Sequence, residues 1–111
     1  MNTKKDIIQH AKDTLLSESE SIVKSISNLN EDFAEAVIKI SETKGRLVIT
    51  GIGKSAHIAN KIVATLNSTG TPSIFLHAAE AVHGDLGMVT KDDIILCISN
   101  SGNSPEIKVL V

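Results

Sequence analysis

The feature that most constrains this fold is a series of short aliphatic runs, each followed by a loop and a stretch with helical spacing. Residues 46–50, 73–76 and 94–98 are predicted strands, and residues 54–68 place apolar side chains at helical intervals. Strands that alternate with helices favour βαβ units, and right-handed crossovers place helices on both faces of the sheet. The sequence therefore predicts an α/β fold, a three-layer αβα sandwich built on a parallel sheet.

Two helices are predicted before the first strand. One covers about residues 3–27, and the second begins after Asn30, a good N-cap residue, and ends before Gly45. The second helix is expected to bury Phe33, Ala34, Val37, Ile38 and Ile40. We interpret both helices as packing elements or as a dimer interface rather than as catalytic elements.

The domain organisation follows from these elements. Residues 1–44 form a predicted N-terminal helical segment, and residues 45–111 form the first half of an α/β core. Three strands are fewer than a parallel sheet normally has, and the predicted last helix, which begins near Ser104, reaches the end of the sequence within about two turns. We therefore expect the chain to be the front part of a larger domain.

Composition narrows the class of protein. A formal charge of −2 without a basic block argues against a nucleic-acid partner. No apolar stretch approaches the roughly 20 residues of a membrane helix, and the charged start lacks a signal-peptide pattern. Cys97 is the single cysteine, so no disulfide forms within the chain. We expect a cytoplasmic protein with no membrane partner.

Two polar loops follow predicted strands. Gly51-Ile52-Gly53-Lys54-Ser55 follows the first strand, and Ser99-Asn100-Ser101-Gly102-Asn103-Ser104 follows the third. Loops after parallel strands open on the same edge of a sheet, where hydroxyls, backbone N–H groups and helix N-termini can surround a phosphate. Together the loops predict a site for a phosphorylated small molecule. The alternative for the serine-rich loop is a tight turn with Ser104 as an N-cap.

The first loop also resembles parts of two nucleotide-binding motifs. The glycine pattern at 51–56 also fits a relaxed dinucleotide fingerprint, but the acidic residue that this fold needs about 20 positions later is missing, since Glu80 comes late. Gly53-Lys54-Ser55 imitates the end of a P-loop, but Val48 stands where its first glycine is required. The triphosphate alternative therefore fails, and the dinucleotide alternative is the weaker one.

Four motifs, in order and at compatible spacing, carry a family resemblance: residues 51–55, 68–72, 83–88 and 99–102. They resemble the sugar isomerase (SIS) domain, a flavodoxin-like αβα fold. More narrowly, they are similar to the arabinose-5-phosphate isomerases of bacterial Kdo, lipopolysaccharide and capsule synthesis. The resemblance implies an aldose–ketose isomerase that interconverts D-arabinose 5-phosphate and D-ribulose 5-phosphate through a cis-enediol. It implies no cofactor, a sugar phosphate substrate and a homo-oligomer (tetramer or dimer).

The resemblance also implies site residues. Lys54 and Glu106 take catalytic positions: the lysine can bind phosphate or polarise a sugar oxygen, and the glutamate can act as a base or a ring-hydroxyl partner. For Glu106, stabilisation of a helix N-terminus is the alternative. The implied substrate-binding residues are Ser55, Gly70, Thr71, His83, Ser99, Asn100, Ser101, Gly102 and Ser104.

Two histidines have alternative roles. His77 matches a position that binds inhibitory zinc in the family, and simple packing is its alternative. For His83 the alternative to sugar contact is a hydrogen bond to loop backbone. Family members continue with the rest of the sheet and often with two regulatory CBS modules, which we do not expect in these 111 residues. The alternative function is a non-catalytic SIS module that binds a sugar phosphate for regulation, but the joint presence of Lys54 and Glu106 favours an enzyme.

Overall fold

The computed structural model describes residues 3–81 and 85–100 of the chain. It divides into two compact units, Met1–Ile38 and Lys39–Val111. In the first unit, helix α1 covers Lys4–Ser25 and is followed by a 3₁₀ turn at Ile26–Asn28. A capping box begins α1: the Thr3 hydroxyl accepts from the N–H of Asp6, whose carboxylate accepts from the N–H of Thr3.

Helix α2 covers Glu31–Glu42. Its predicted N-cap is confirmed, because the side-chain oxygen of Asn30 accepts from the N–H of Phe33 at 3.3 Å. The predicted burial is wrong for Phe33, Ala34, Val37 and Ile38, which are exposed in this chain. It is confirmed in part for Ile40, which is half-buried and packs against a buried cluster of the sheet. Helical spacing predicts which side chains share a face, but it does not say whether anything covers that face.

The second unit holds a parallel sheet, and the predicted α/β class is confirmed. Strands β1 (Leu47–Gly51), β2 (Ser73–His77) and β3 (Ile94–Ile98) are ordered β2-β1-β3 within the described residues. The register is simple, since the first residues of the three strands align with one another and the last residues do the same. The three strands therefore begin at one edge of the sheet, the amino edge, and end together at the other, the carboxyl edge.

Helix α3 (Lys54–Ser68) covers one face of the sheet. Leu47, Ile49 and Ala59 form the buried cluster there, with Ile62, Val63 and Leu66 of α3 packed against it. Helical spacing also places Ile58 near that face of α3, but its side chain is 55% exposed. Val48 and Leu76 form the cluster on the opposite face.

Short elements connect β2 to β3. Helix α4 covers Ala78–Ala81, and a 3₁₀ turn covers Asp85–Met88. The side chain of Val89 packs against the cluster on the face opposite α3. In the described part of the chain, none of the helices has both the length and the apolar composition needed to cross a membrane.

The amino edge is held together by a dense hydrogen-bond network. The carboxylate of Asp93 accepts from the N–H of Arg46 at 2.7 Å, from the N–H of Thr90 at 2.9 Å and from the Arg46 guanidinium at 3.4 Å. These donors, led by the backbone N–H of Arg46, lower the pKa of Asp93 from 3.8 to about 2. The Thr43 hydroxyl also donates to the carbonyl of Asp92 at 2.6 Å. The network joins the start of β1 to the start of β3.

Candidate functional site at the carboxyl edge

The register of the sheet brings the two polar loops together. Gly51, the last residue of β1, aligns with Ile98, the last residue of β3, so Ile52 and Ser99 leave the sheet side by side. Neighbouring strands lie about 4.8 Å apart. The predicted proximity of the two loops is thus built into the backbone, as far as Asn100, where the described residues end.

Two glycines shape the first loop for different reasons. A Cβ at the fully buried Gly51 would lie 2.9 Å from the carbonyl carbon of Ser55, so only glycine lets α3 approach β1 this closely. Gly53 has φ 61° and ψ −130°, a conformation that is open to glycine and strained for other residues. Together they turn the chain from the end of β1 directly into α3.

The N-terminus of α3 concentrates positive charge at this edge. Its first backbone N–H groups lack a side-chain cap, since Gly53 occupies the N-cap position. Lys54 is exposed, and its ammonium forms no ion pair with any described residue. A cation in the first turn opposes the helix dipole and therefore costs stability. This arrangement is unfavourable for the helix alone and favourable for an anion.

Polar side chains surround this positive end. Ser55 is half-buried in the first turn of α3, Ser99 is half-buried just after β3, and Asn100 is exposed. The remaining predicted site residues lie outside the described residues. They are His83, Ser101, Gly102, Ser104 and Glu106. The described part of the site therefore supplies one cation, two hydroxyls and one amide.

His77 ends β2 at the same edge, beside Gly51 in the register. Its ring makes an edge-on contact with Phe75, with the ring centroids 6.0 Å apart, and Nδ1 accepts from the N–H of Ala79 at 3.2 Å. Among the described residues, no three His, Cys, Asp or Glu side chains lie together as a metal site would require. A zinc-binding role for His77 stays a prediction.

Sequence patterns alone do not assign a role to Thr50, although a hydroxyl among aliphatic strand residues is a visible signal. It is completely buried, and its Oγ1 has no hydrogen-bond partner within residues 3–81 and 85–100. It lies one row inside the carboxyl edge and aligns with Leu76 and Cys97 of the flanking strands. An unpaired buried hydroxyl costs about 1–3 kcal/mol, so the sheet carries a local cost next to the site.

The structure does not bring Gly70 and Thr71 to this edge. They lie between the end of α3 and the start of β2, where the N–H of Thr71 donates to the carbonyl of Leu66 at 2.9 Å. This turn is at the amino edge, beyond the far end of the 15-residue helix α3 from Lys54, which spans about 21 Å at 1.5 Å per residue. The reason is strand direction: the loop before a parallel strand and the loop after it open on opposite edges.

Comparison with known proteins gives consistent results. A model of the SIS domain family matches residues 39–111. The whole chain is 46% identical to the arabinose 5-phosphate isomerase KdsD of Pseudomonas aeruginosa, and 96% of it is 47% identical to the KdsD of Escherichia coli K12. The chain covers 34% and 32% of these two proteins, so it spans about a third of the length of the curated relatives.

A solved structure matches as well. A protein from Escherichia coli CFT073, in complex with arabinose 5-phosphate, superposes with a TM-score of 0.90 at 44% sequence identity. The match covers 98% of this chain and 57% of that one. The similarity therefore extends over both helical and sheet regions of this chain, and over little more than half of the neighbour.

Proposed function

Since this chain belongs to the SIS domain family, we propose that it supplies part of the active site of an isomerase acting on a phosphorylated pentose. The proposed reaction interconverts D-arabinose 5-phosphate and D-ribulose 5-phosphate. The relatives named arabinose 5-phosphate isomerase and the neighbour in complex with that sugar phosphate support this substrate class. The finding that carries the proposal from the structure is the Lys54 cation at the start of α3, which forms no ion pair within the described part of the chain.

The charge arrangement accounts for substrate binding. A sugar phosphate brings negative charge to a place where Lys54 forms no ion pair with the described residues and where the first turn of α3 has no side-chain cap. Ser55 and Ser99 can add hydroxyl donors to phosphate or sugar oxygens. Gly70 and Thr71 lie at the amino edge, and their contact with the sugar stays a prediction.

The reaction requires a base and a stabilised negative charge. In the open-chain aldose, a base removes the proton from C2, and a C1–C2 double bond forms as the carbonyl oxygen at C1 gains a proton. The resulting cis-enediol loses the proton on O2, a carbonyl forms at C2, and C1 takes up a proton. We assign the base to Glu106, and we assign to Lys54 the stabilisation of negative charge on the substrate.

Assembly and location complete the proposal. The apolar side chains of α1, with Leu15 and Ile22 about 70% exposed, support contacts with other copies of the chain in a homo-oligomer, a dimer or a tetramer. We propose a cytoplasmic location, since phosphorylated pentoses are made and consumed there.

The test joins this chain to the residues that follow the matched segment in the Pseudomonas aeruginosa relative and measures ketose formation from D-arabinose 5-phosphate. We expect turnover, and we expect Lys54→Gln to lower kcat/KM by about 10²–10³-fold, since it removes a charge that stabilises the transition state. Glu106→Gln should reduce kcat by about 10²–10⁴-fold, the usual contribution of a general base.

Lys61→Gln is the matched control, because Lys61 is an exposed lysine on the same helix, two turns from its start. Its activity should stay within about twofold of the parent. Equal activity of the two lysine variants would refute the role of Lys54. Binding of the sugar phosphate without any turnover in the joined protein would instead establish the non-catalytic module.

A further inference from the structure

Two contacts fix the ring of His77, and one of them is a hydrogen bond to a ring nitrogen. The N–H of Ala79 donates to Nδ1, and the ring lies edge-on to Phe75. Ala79 is the second residue of α4, so His77 occupies the N-cap position and makes the bond that an N-cap side chain makes. The ring thus acts as a helix cap, a role usually taken by Ser, Thr, Asp or Asn.

This hydrogen bond also fixes the tautomer. A neutral imidazole has one nitrogen that accepts and one that carries the proton. Because Nδ1 accepts from Ala79, the proton is on Nε2. A metal ligand needs a free lone pair on the nitrogen that binds, so neither nitrogen is available while the cap is in place.

We propose that His77 is a positioning residue that holds the first turn of α4 at the carboxyl edge through Nδ1. Ala78, which is completely buried, anchors the same turn from the core side. The inference rests on the proposed function in one respect: α4 begins at the edge of the sheet where Lys54 lies, so a displacement of α4 would disturb substrate binding there.

The tautomer provides the first test, and it does not depend on activity. Long-range ¹H–¹⁵N correlation spectra of the ¹⁵N-labelled protein distinguish a ring protonated on Nε2 from one protonated on Nδ1. His77→Asn identifies the His77 signals, since they are the ones that disappear. The proposal requires the Nε2–H form, and an Nδ1–H form would overturn it.

Two variants at one position separate the acceptor from the ring. His77→Asn keeps an acceptor suited to an N-cap, whereas His77→Leu keeps bulk and has no acceptor. We expect the amide of Ala79 to exchange with solvent about fivefold faster in His77→Leu, with little change in His77→Asn. In the joined isomerase, His77→Leu should raise KM about tenfold with a smaller effect on kcat, and His77→Asn should restore most of the loss.

The outcomes are distinct. Equal impairment in both variants would show that the ring itself is needed, and unchanged Ala79 exchange in both would show that no cap exists; either overturns the proposal. If the joined protein lacks isomerase activity altogether, the proposed function fails, while the tautomer and the Ala79 exchange still decide the role of His77.

Discussion

The two edges of the sheet differ in how far their polar groups are paired by hydrogen bonds and ion pairs. At the amino edge, the side chain of Asp93 is only 2% exposed, and three N–H donors from Arg46 and Thr90 satisfy its carboxylate. At the carboxyl edge, Lys54 has no ion-pair partner and the buried hydroxyl of Thr50 has no hydrogen bond among the described residues. The sheet thus has a hydrogen-bonded carboxylate at its amino edge, whereas its carboxyl edge has a lysine and a buried hydroxyl without partners among the described residues.

The difference separates stability from function. The amino edge ties residues that are 47 positions apart in the chain, which fixes how β1 and β3 begin. The carboxyl edge leaves Lys54 without an ion pair among the described residues, at a cost in stability that a bound anion can recover. Substitutions at the amino edge should therefore change unfolding, whereas side-chain substitutions at the carboxyl edge should change ligand binding.

The largest expected effect on stability is at Gly51. This residue lies at the carboxyl edge but has a structural role, so it is an exception to the assignment of stability to the amino edge. Gly51→Ala places a Cβ 2.9 Å from backbone of Ser55, which must move α3 away from β1. We expect a loss of about 2–3 kcal/mol in the free energy of unfolding, measured by urea denaturation. Gly53→Ala is the control for backbone strain alone, because nothing lies within 4 Å of its Cβ, and it should cost about 1–2 kcal/mol. A larger loss in Gly53→Ala would contradict this account of the loop.

Asp93 gives the next effect, at the amino edge. Asp93→Asn should lower the thermal midpoint, because an amide in place of the carboxylate weakens the bonds from Arg46 and Thr90. The pKa of Asp93 is lowered from 3.8 to about 2, so its contribution to stability is complete above pH 4 and is lost as pH falls from about 4 to 2. Thermal melts across this range should show that loss in the parent protein.

The neighbouring carboxylate serves as the control for Asp93. Asp92 is exposed, and only its backbone carbonyl takes part in the network, so Asp92→Asn should melt close to the parent at pH 7. The acid-dependent loss between pH 4 and 2 should be smaller in Asp93→Asn and retained in Asp92→Asn. Identical pH profiles for the parent and both variants would mean that Asp93 does not join the two strands.

Local patterns in the sequence predicted most of the elements. The helix over 54–68 and the strand over 94–98 have the predicted bounds, because apolar periodicity and flanking glycines act over a few residues. The first strand is displaced by one residue, to Leu47–Gly51. The reason is tertiary, since Arg46 is drawn into the network with Asp93, a partner far away in the sequence.

The candidate site was predictable in part, for a related reason. Parallel strands place their carboxyl ends together, so the proximity of the loop at Gly51 to Ser99 followed once the strands were recognised. The same rule places Gly70 and Thr71 at the amino edge, because they precede a strand. They were predicted to bind substrate from a match to a family motif, which carries no information on strand direction. The cap formed by His77 was not predictable, since it depends on the rotamer of one ring.

The central claim is that an anion binds at the carboxyl edge, and amide chemical shifts test it most directly. D-arabinose 5-phosphate is titrated into the ¹⁵N-labelled chain, with inorganic phosphate as the comparison and arabinose as the uncharged control. Both phosphates should shift the amides of residues 53–55 and 99–100 and leave those of 43–46 and 90–93 in place, and arabinose should shift neither set. Shifts confined to the amino edge, or equal shifts with arabinose, would contradict the account.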